Sequence, residues 1–177
     1  AGFSTIDGLA LLNVEGTGMI GVSGITQRIF SVLSSELDLT VQLIAQASSE
    51  HSICFAIRLE DVPRTKDALN RTFSREISEG HVSSISTVEP CSVVAVVGDG
   101  MSSTPGVAGR IFNAISKSNI NIVAIAQGCM ERNVSLVVKS SDAERCLLAL
   151  HAAFLLSQTT VSVGIIHDGD SASSPPC

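Results

Sequence analysis

The chain states one pattern twice, and the second statement is long enough to be a folding unit of its own. LNVEGTGMIGVSGITQRIF from Leu12 reads against VAVVGDGMSSTPGVAGRIF from Val94, and IAQASSEHSICFAI from Ile44 reads against IAQGCMERNVSLVV from Ile125. Gly18-Met19 falls on Gly100-Met101 and Arg28-Ile29-Phe30 on Arg110-Ile111-Phe112, each 82 positions on. A one-residue deletion near Asn119 changes the shift to 81, which carries Ile44-Ala45-Gln46 onto Ile125-Ala126-Gln127, Glu50 onto Glu131 and Phe73 onto Phe154. A shift that steady marks two copies of one small module. The length of 177 residues then divides into a first unit at 1–89, a second at 90–166, and a small Pro-containing tail at 167–177 expected to be disordered.

Within each copy the apolar spacing changes period in the same order. Leu9 to Val14 and Ser92 to Val97 are apolar runs too short for helices and read as buried strands. A glycine-rich turn follows each. Val22, Ile25, Ile29, Val32 and Leu33 then recur at helical spacing, as do Val107, Ile111, Ala114 and Ile115, with Pro105 at the threshold of the second of these helices. Leu39, Val41 and Leu43 alternate as in a half-buried strand, opposite Ile120, Ile122 and Ala124, and the chain returns through a polar turn as SICFAIRL or VSLVVK, a hairpin. Second helices are marked by Val62, Leu69 and Phe73 with Pro63 near the helix start, and by the capping-box pattern Ser141-x-x-Glu144 with Ala143, Leu147, Leu150 and Phe154 on one face. His81 to Val88 and Thr160 to Ile166 supply a last strand each. The fold class is therefore α+β: β-α-β-β-α-β twice, two ferredoxin-like units whose antiparallel sheets carry their helices on one face.

Composition narrows the function. A net charge of −6 argues against a nucleic-acid backbone as partner, and six Phe without Tyr or Trp, at least two of the Phe on helix faces, do not make an RNA-stacking sheet. Mean hydropathy is high at +0.39, yet no apolar run reaches the roughly 20 residues of a membrane span. The surplus suits buried strands and an interface, so the units are expected to form a homodimer. Five cysteines without a C-x-x-C pair read as reduced thiols, and His51, His81, His151 and His167 lack metal-ligand spacing. No G-x-S-x-G elbow is present. No cleavable leader stands at Ala1, so a targeting segment is expected outside this chain.

Two features repeat without an obvious need in a core. Gly18, Met19 and Gly24, and Gly98, Asp99, Gly100, Met101 and Gly106 running into Val107 and Ala108, place a glycine turn before a helix, where unpaired backbone N–H groups suit a small carboxylate. Asp99 could meet an α-ammonium, and Thr17 stands in its place in the first copy. The same glycines would also serve a bare turn. Gln46 and Gln127 each end an apolar strand, and an amide offers both donors and an acceptor to an amino acid; a polar strand end is the plainer alternative. Glu50 and Glu131 sit in a polar turn and read as solvated charges.

These segments together, GFSTIDGLALLNVEGTGMIGVSGITQRIFSVL, IAQASSEHSICFAI, VVGDGMSSTPGVAGRIFNAI and IAQGCMERN, closely resemble the tandem ACT domains of aspartokinases, above all those of bifunctional aspartokinase–homoserine dehydrogenases of plants and bacteria. The resemblance runs from about Gly2 to Ile166. It implies a non-catalytic regulatory region that binds a free amino acid, L-threonine, with no cofactor of its own and with flanking kinase and dehydrogenase domains as partners. Gln46 and Gln127 match the family's threonine-associated glutamines. The resemblance also implies interleaved units, one completed by strand sequence from outside its own repeat, and a chloroplast stroma location if plant-type or a cytoplasmic one otherwise. The Lys-Phe-Gly-Gly type kinase motif is lacking, and Val161 to Ile166, which resembles a dehydrogenase first strand, continues as His167-Asp168-Gly169-Asp170 instead of a dinucleotide turn. An excised regulatory region without catalysis is expected. A ligand-free dimerisation module and a stand-alone amino-acid sensor acting on another protein are the alternatives.

Overall fold

The computed structural model describes residues 2–16, 24–46, 52–98, 104–127 and 133–154. Six strands, β1 (Gly2–Glu15), β2 (Leu43–Gln46), β3 (Ser52–Arg58), β4 (Ser84–Val97), β5 (Ala124–Ala126) and β6 (Asn133–Lys139), form one antiparallel sheet in the order β2-β3-β1-β4-β6-β5. The helices are α1 (Ile25–Ser31), α2 (Val62–Thr72), α3 (Ser74–Ser78), α4 (Val107–Lys117) and α5 (Ala143–Ala153).

The long strands β1 and β4 each serve both repeats. The C-terminal half of β1, Leu9–Glu15, lies between Ser52–Arg58 of β3 and Ser84–Val88 of β4. The C-terminal half of β4, Cys91–Val97, lies between β6 and Gly2–Ile6 of β1. The place beside Val93–Val97 reserved in sequence for Thr160–Ile166 is thus taken by the first strand of the chain; Thr160–Ile166 itself and the tail at 167–177 lie outside the described residues. The crossing points are irregular. The register shifts between Ile6 and Leu11, where Gly8 has φ +71° and the repeat sets Gly8 against Pro90.

This interleaving leaves a trace in the repeat itself. Phe3-Ser4-Thr5-Ile6-Asp7 matches Ile85-Ser86-Thr87-Val88-Glu89 at the same shift of 82, so the copies begin earlier than Leu9 and Ser92. What reads as the first unit's last strand is also the opening of the second repeat.

Alternation then sorts each strand onto two faces. Leu12 and Val14 with Ile53, Phe55 and Ile57 pack under Ile29, Leu33, Leu69 and Phe73 of the first unit's helical layer. Val94 and Val96 with Val134, Leu136 and Val138 pack under Ile111, Ile115, Cys146 and Leu150 of the second, and Phe3 completes that core as Ile85 does the first. The reverse faces are largely covered as well. The sheet curls until its outer strands β2 and β5 come within 8 Å, and a third apolar cluster of Leu9, Leu11, Leu43, Ala56, Cys91, Val93 and Val137 fills the interior. Neighbours of opposite parity on one strand, Leu11 and Leu12 for example, therefore belong to different cores.

The change of shift from 82 to 81 has a structural cause. After α1 the first unit makes a π turn over Val32–Glu36, where Leu37 N donates to Val32 O at 3.0 Å. In the second unit α4 runs on without one. Leu33 and Ile115 are equivalent at 82, whereas Asp38 and Asn119, both left-handed at φ 51° and 52°, are equivalent at 81. The widened turn absorbs the extra residue.

Three local expectations differ from the structure. Leu39 and Val41, like Ile120 and Ile122 in the second unit, pack against their cores without joining the sheet, because Leu39 N is bonded to Leu33 O, Ile120 N to Ile115 O, and the strands proper begin at Leu43 and Ala124. Pro105 precedes the helix, since Gly106 is the N-cap of α4. The Ser141 capping box is not made: a 3-10 turn occupies Ser140–Asp142 and α5 starts at Ala143 with no side-chain cap bond.

Candidate functional site

An open groove of about 510 Å³ runs between the outer strands. Gln42, Leu43, Ile44, Ala45 and Gln46 line one wall, and Ile125, Ala126, Gln127, Asn133 and Ser135 the other. The two Ile-Ala-Gln segments, 81 residues apart in sequence, face each other across it. Ile44 and Ile125, 49% and 45% exposed, and both glutamines are open to solvent. None of the ten lining residues carries a formal charge, so the described walls can hydrogen-bond a polar ligand but cannot neutralise a net charge.

The glutamines also keep a fixed relation to the glycine turns. Gln46 lies opposite Ile53 of β3, and Ile53 opposite Val14 of β1, two residues before Gly16. Continuing the β5–β6 register by one residue sets Gln127 opposite Val134, whose partner Val96 stands two residues before Gly98. In each unit the amide and the start of the turn therefore share one end of the sheet, two strand spacings or about 10 Å apart.

The other residues singled out in sequence divide into three groups. Gly18, Met19, Asp99, Gly100 and Met101 lie outside the described residues, as do Thr17, Glu50 and Glu131. Gly24 and Gly106 are the N-caps of α1 and α4, with φ of 87° and 86°. That backbone conformation alone accounts for glycine at both positions. Gly98 directly follows β4, Val107 packs against the second core and Ala108 is exposed; none of the three lines the groove.

Two other repeated residues have purely structural work. The guanidinium of Arg28 lies 4.6 Å from the Phe73 ring centroid, donates to Thr72 O at 2.5 Å and pairs with Glu76. Arg110 lies 4.6 Å over Phe154 and donates to Ala153 O at 3.0 Å. Each arginine pins the first helix of its unit to the second.

Asn133 and Ser135 were missed by sequence reasoning. Their signal was a difference between the copies, since Ser52 and Cys54 are their counterparts. The Cys54 thiol donates to Asn13 Oδ1 at 3.1 Å, and burial, with Glu15 adding to it, raises its pKa, which leaves it a poor nucleophile.

The ACT domain model matches residues 12–73 and 94–154, one stretch in each repeat. The chain belongs to the ACT domain family. Bifunctional aspartokinase/homoserine dehydrogenase 1, chloroplastic, of Arabidopsis thaliana is 52% identical over 168 residues, covering 95% of this chain and 18% of that protein. The chain thus spans about a fifth of that relative's length. The regulatory subunit of aspartate kinase from Thermus flavus superposes with a TM-score of 0.73 at 23% identity, over 87% of this chain and 97% of that one. E. coli aspartokinase III in complex with lysine and aspartate, in the T-state, gives 0.62 at 22% identity over 85% and 32%. The structural likenesses establish the fold, two ferredoxin-like ACT units. Nearly the whole chain corresponds to the regulatory ACT part of enzymes of the aspartokinase/homoserine dehydrogenase kind.

Proposed function

We propose that these two ACT units bind L-threonine and report its presence to flanking aspartokinase and homoserine dehydrogenase domains, as feedback control of aspartate-family amino-acid biosynthesis. One observation carries the reading: both Ile-Ala-Gln segments stand on the walls of one solvent-open groove, with each glutamine at the end of the sheet where its own glycine turn begins. Gln46 and Gln127 each hold one ligand, in two related sites. An uncharged wall of amides suits a zwitterion of zero net charge, and threonine adds a hydroxyl that such groups can bond.

The Arabidopsis thaliana relative is a bifunctional aspartokinase/homoserine dehydrogenase, and E. coli aspartokinase III has been seen in complex with lysine and aspartate. The first supports the two activities as those regulated, and the second an amino acid as the effector. Binding at the junction of two units can shift a two-state equilibrium by its differential affinity for the two states. The chain acts as a homodimer, joined through unpaired outer strands that present Ile44 and Ile125. It works in the chloroplast, as the plant relative does.

Calorimetry of the purified chain with the common amino acids tests this. Saturable binding of threonine is expected. A well-folded chain that binds none of them would favour the dimerisation reading instead.

A further inference from the structure

Resting on that functional reading, we infer that Asn133 and Ser135 form a hydrogen-bonding subsite for the effector in the second unit, one that the first unit lacks, and that Ser135 bonds the effector's side-chain hydroxyl. The argument comes from comparing equivalent cross-strand rows. In the first unit the row Ala45–Cys54–Asn13 is closed on itself, because the Asn13 amide fills the position beside Cys54 and accepts its thiol proton. In the second unit the row is Ala126–Ser135–Ala95. Two methyl side chains flank the serine and leave the space above it open. Among the described residues neither Ser135 nor Asn133 has a side-chain hydrogen-bond partner, although both are half-buried and line the groove.

A half-buried hydroxyl and amide with nothing to bond make a site for a ligand that carries matching groups. The hydroxyl of Ser135 both donates and accepts, which fits another hydroxyl. The amide of Asn133 is two residues nearer the glycine-turn end on the same face, beside Val97, and fits the ligand's carboxylate or ammonium end. Gln127 follows the adjoining strand β5 opposite Val134, on the other face of the sheet from Ser135, and so lies outside this subsite. The first unit offers Ser52 and a thiol already engaged, so its site holds threonine less selectively.

The test is calorimetric titration of threonine and valine into the full chain and into Ser135→Ala, Asn133→Ala and Cys54→Ser, with circular dichroism verifying each fold. Ser135→Ala should weaken threonine at one site about three- to tenfold, the range of one neutral hydrogen bond, and bring threonine and valine toward parity there. Asn133→Ala should weaken both ligands alike. Cys54→Ser, away from the proposed subsite, should leave the second site unchanged. Unaltered threonine affinity in both Ser135→Ala and Asn133→Ala, in a chain whose wild type binds threonine, overturns the subsite while leaving the functional reading in place. Failure of wild type to bind threonine overturns the functional reading itself.

Discussion

Replacing Phe3 by alanine should damage the second repeat and spare the first, although Phe3 lies at the start of the sequence. Its ring is buried, lies tilted against His151 at 4.4 Å between centroids and meets Phe154 edge-on at 6.1 Å. It belongs to the cluster of Val94, Val96, Ile111, Leu136 and Leu150. Truncating a buried phenylalanine costs about 3–5 kcal/mol, from lost transfer energy and the cavity left behind. An end strand can relax, so the lower part of that range, about 3–4 kcal/mol, is the better figure here. For a chain of this length that is a fall of roughly 6–16 °C in melting temperature. Location is the sharper readout. In hydrogen exchange, amides of Val93–Val97 and Val134–Val138 should lose protection well before those of Leu11–Val14 and Ile53–Ile57. Ile85→Ala should show the reverse pattern with a smaller effect, because Ile85 is only half-buried in the first core. Earlier exposure of Ile53–Ile57 than of Val134–Val138 in Phe3→Ala would refute the shared-strand reasoning.

Gly16→Ala should prevent normal packing, since a Cβ there would stand 2.0 Å from His81 O and 2.7 Å from Val82 Cα; a melting temperature equal to wild type would be inconsistent with that close approach. Glu76 has its pKa lowered, first by its hydrogen bond from Arg28, so the pair contributes stability above the ordinary carboxylate value of 4.5 and loses it as pH falls below that value. Melting curves of Glu76→Gln should accordingly show a smaller drop on acidification than wild type, and an identical drop would count against the pair. Burial pushes the Cys146 thiol up to about 11 and raises that of Cys91, so both should resist alkylation at pH 8 in the folded chain. Rapid labelling of either, mapped by mass spectrometry, would contradict their burial.

Much of this architecture was legible because local spacing and tertiary demand agreed. Ile25, Ile29 and Leu33, and Ile111 and Ile115, recur at helical spacing and are buried in the two cores. The hairpins β2–β3 and β5–β6 follow from apolar runs around polar turns. The choice of partner for a strand end is a different matter. Gly2–Ile6 could have been seen as repeated sequence, but its position next to Val93–Val97 is set by a contact some ninety residues away, which no local pattern encodes. The π turn shows as a change of shift, and its geometry does not.

Of the candidate site, the glutamines were legible because amides interrupt apolar strands, and the structure sets both on one groove. Gly24 and Gly106 repeated for a backbone reason that a sequence cannot separate from a ligand's. Asn133 and Ser135 were hidden for the opposite reason. They differ between copies, and a search for what the copies share passes over them.

Titration of threonine into wild type, Gln46→Ala and Gln127→Ala tests the central proposal most directly. Each glutamine side chain is exposed and contributes little packing, so both variants should fold as wild type does by circular dichroism. Each should lose about 1–3 kcal/mol of binding at its own site, the cost of leaving a ligand group unsatisfied, which is about five- to 150-fold in affinity. Threonine isotherms that are the same in wild type and in both folded variants would contradict the account.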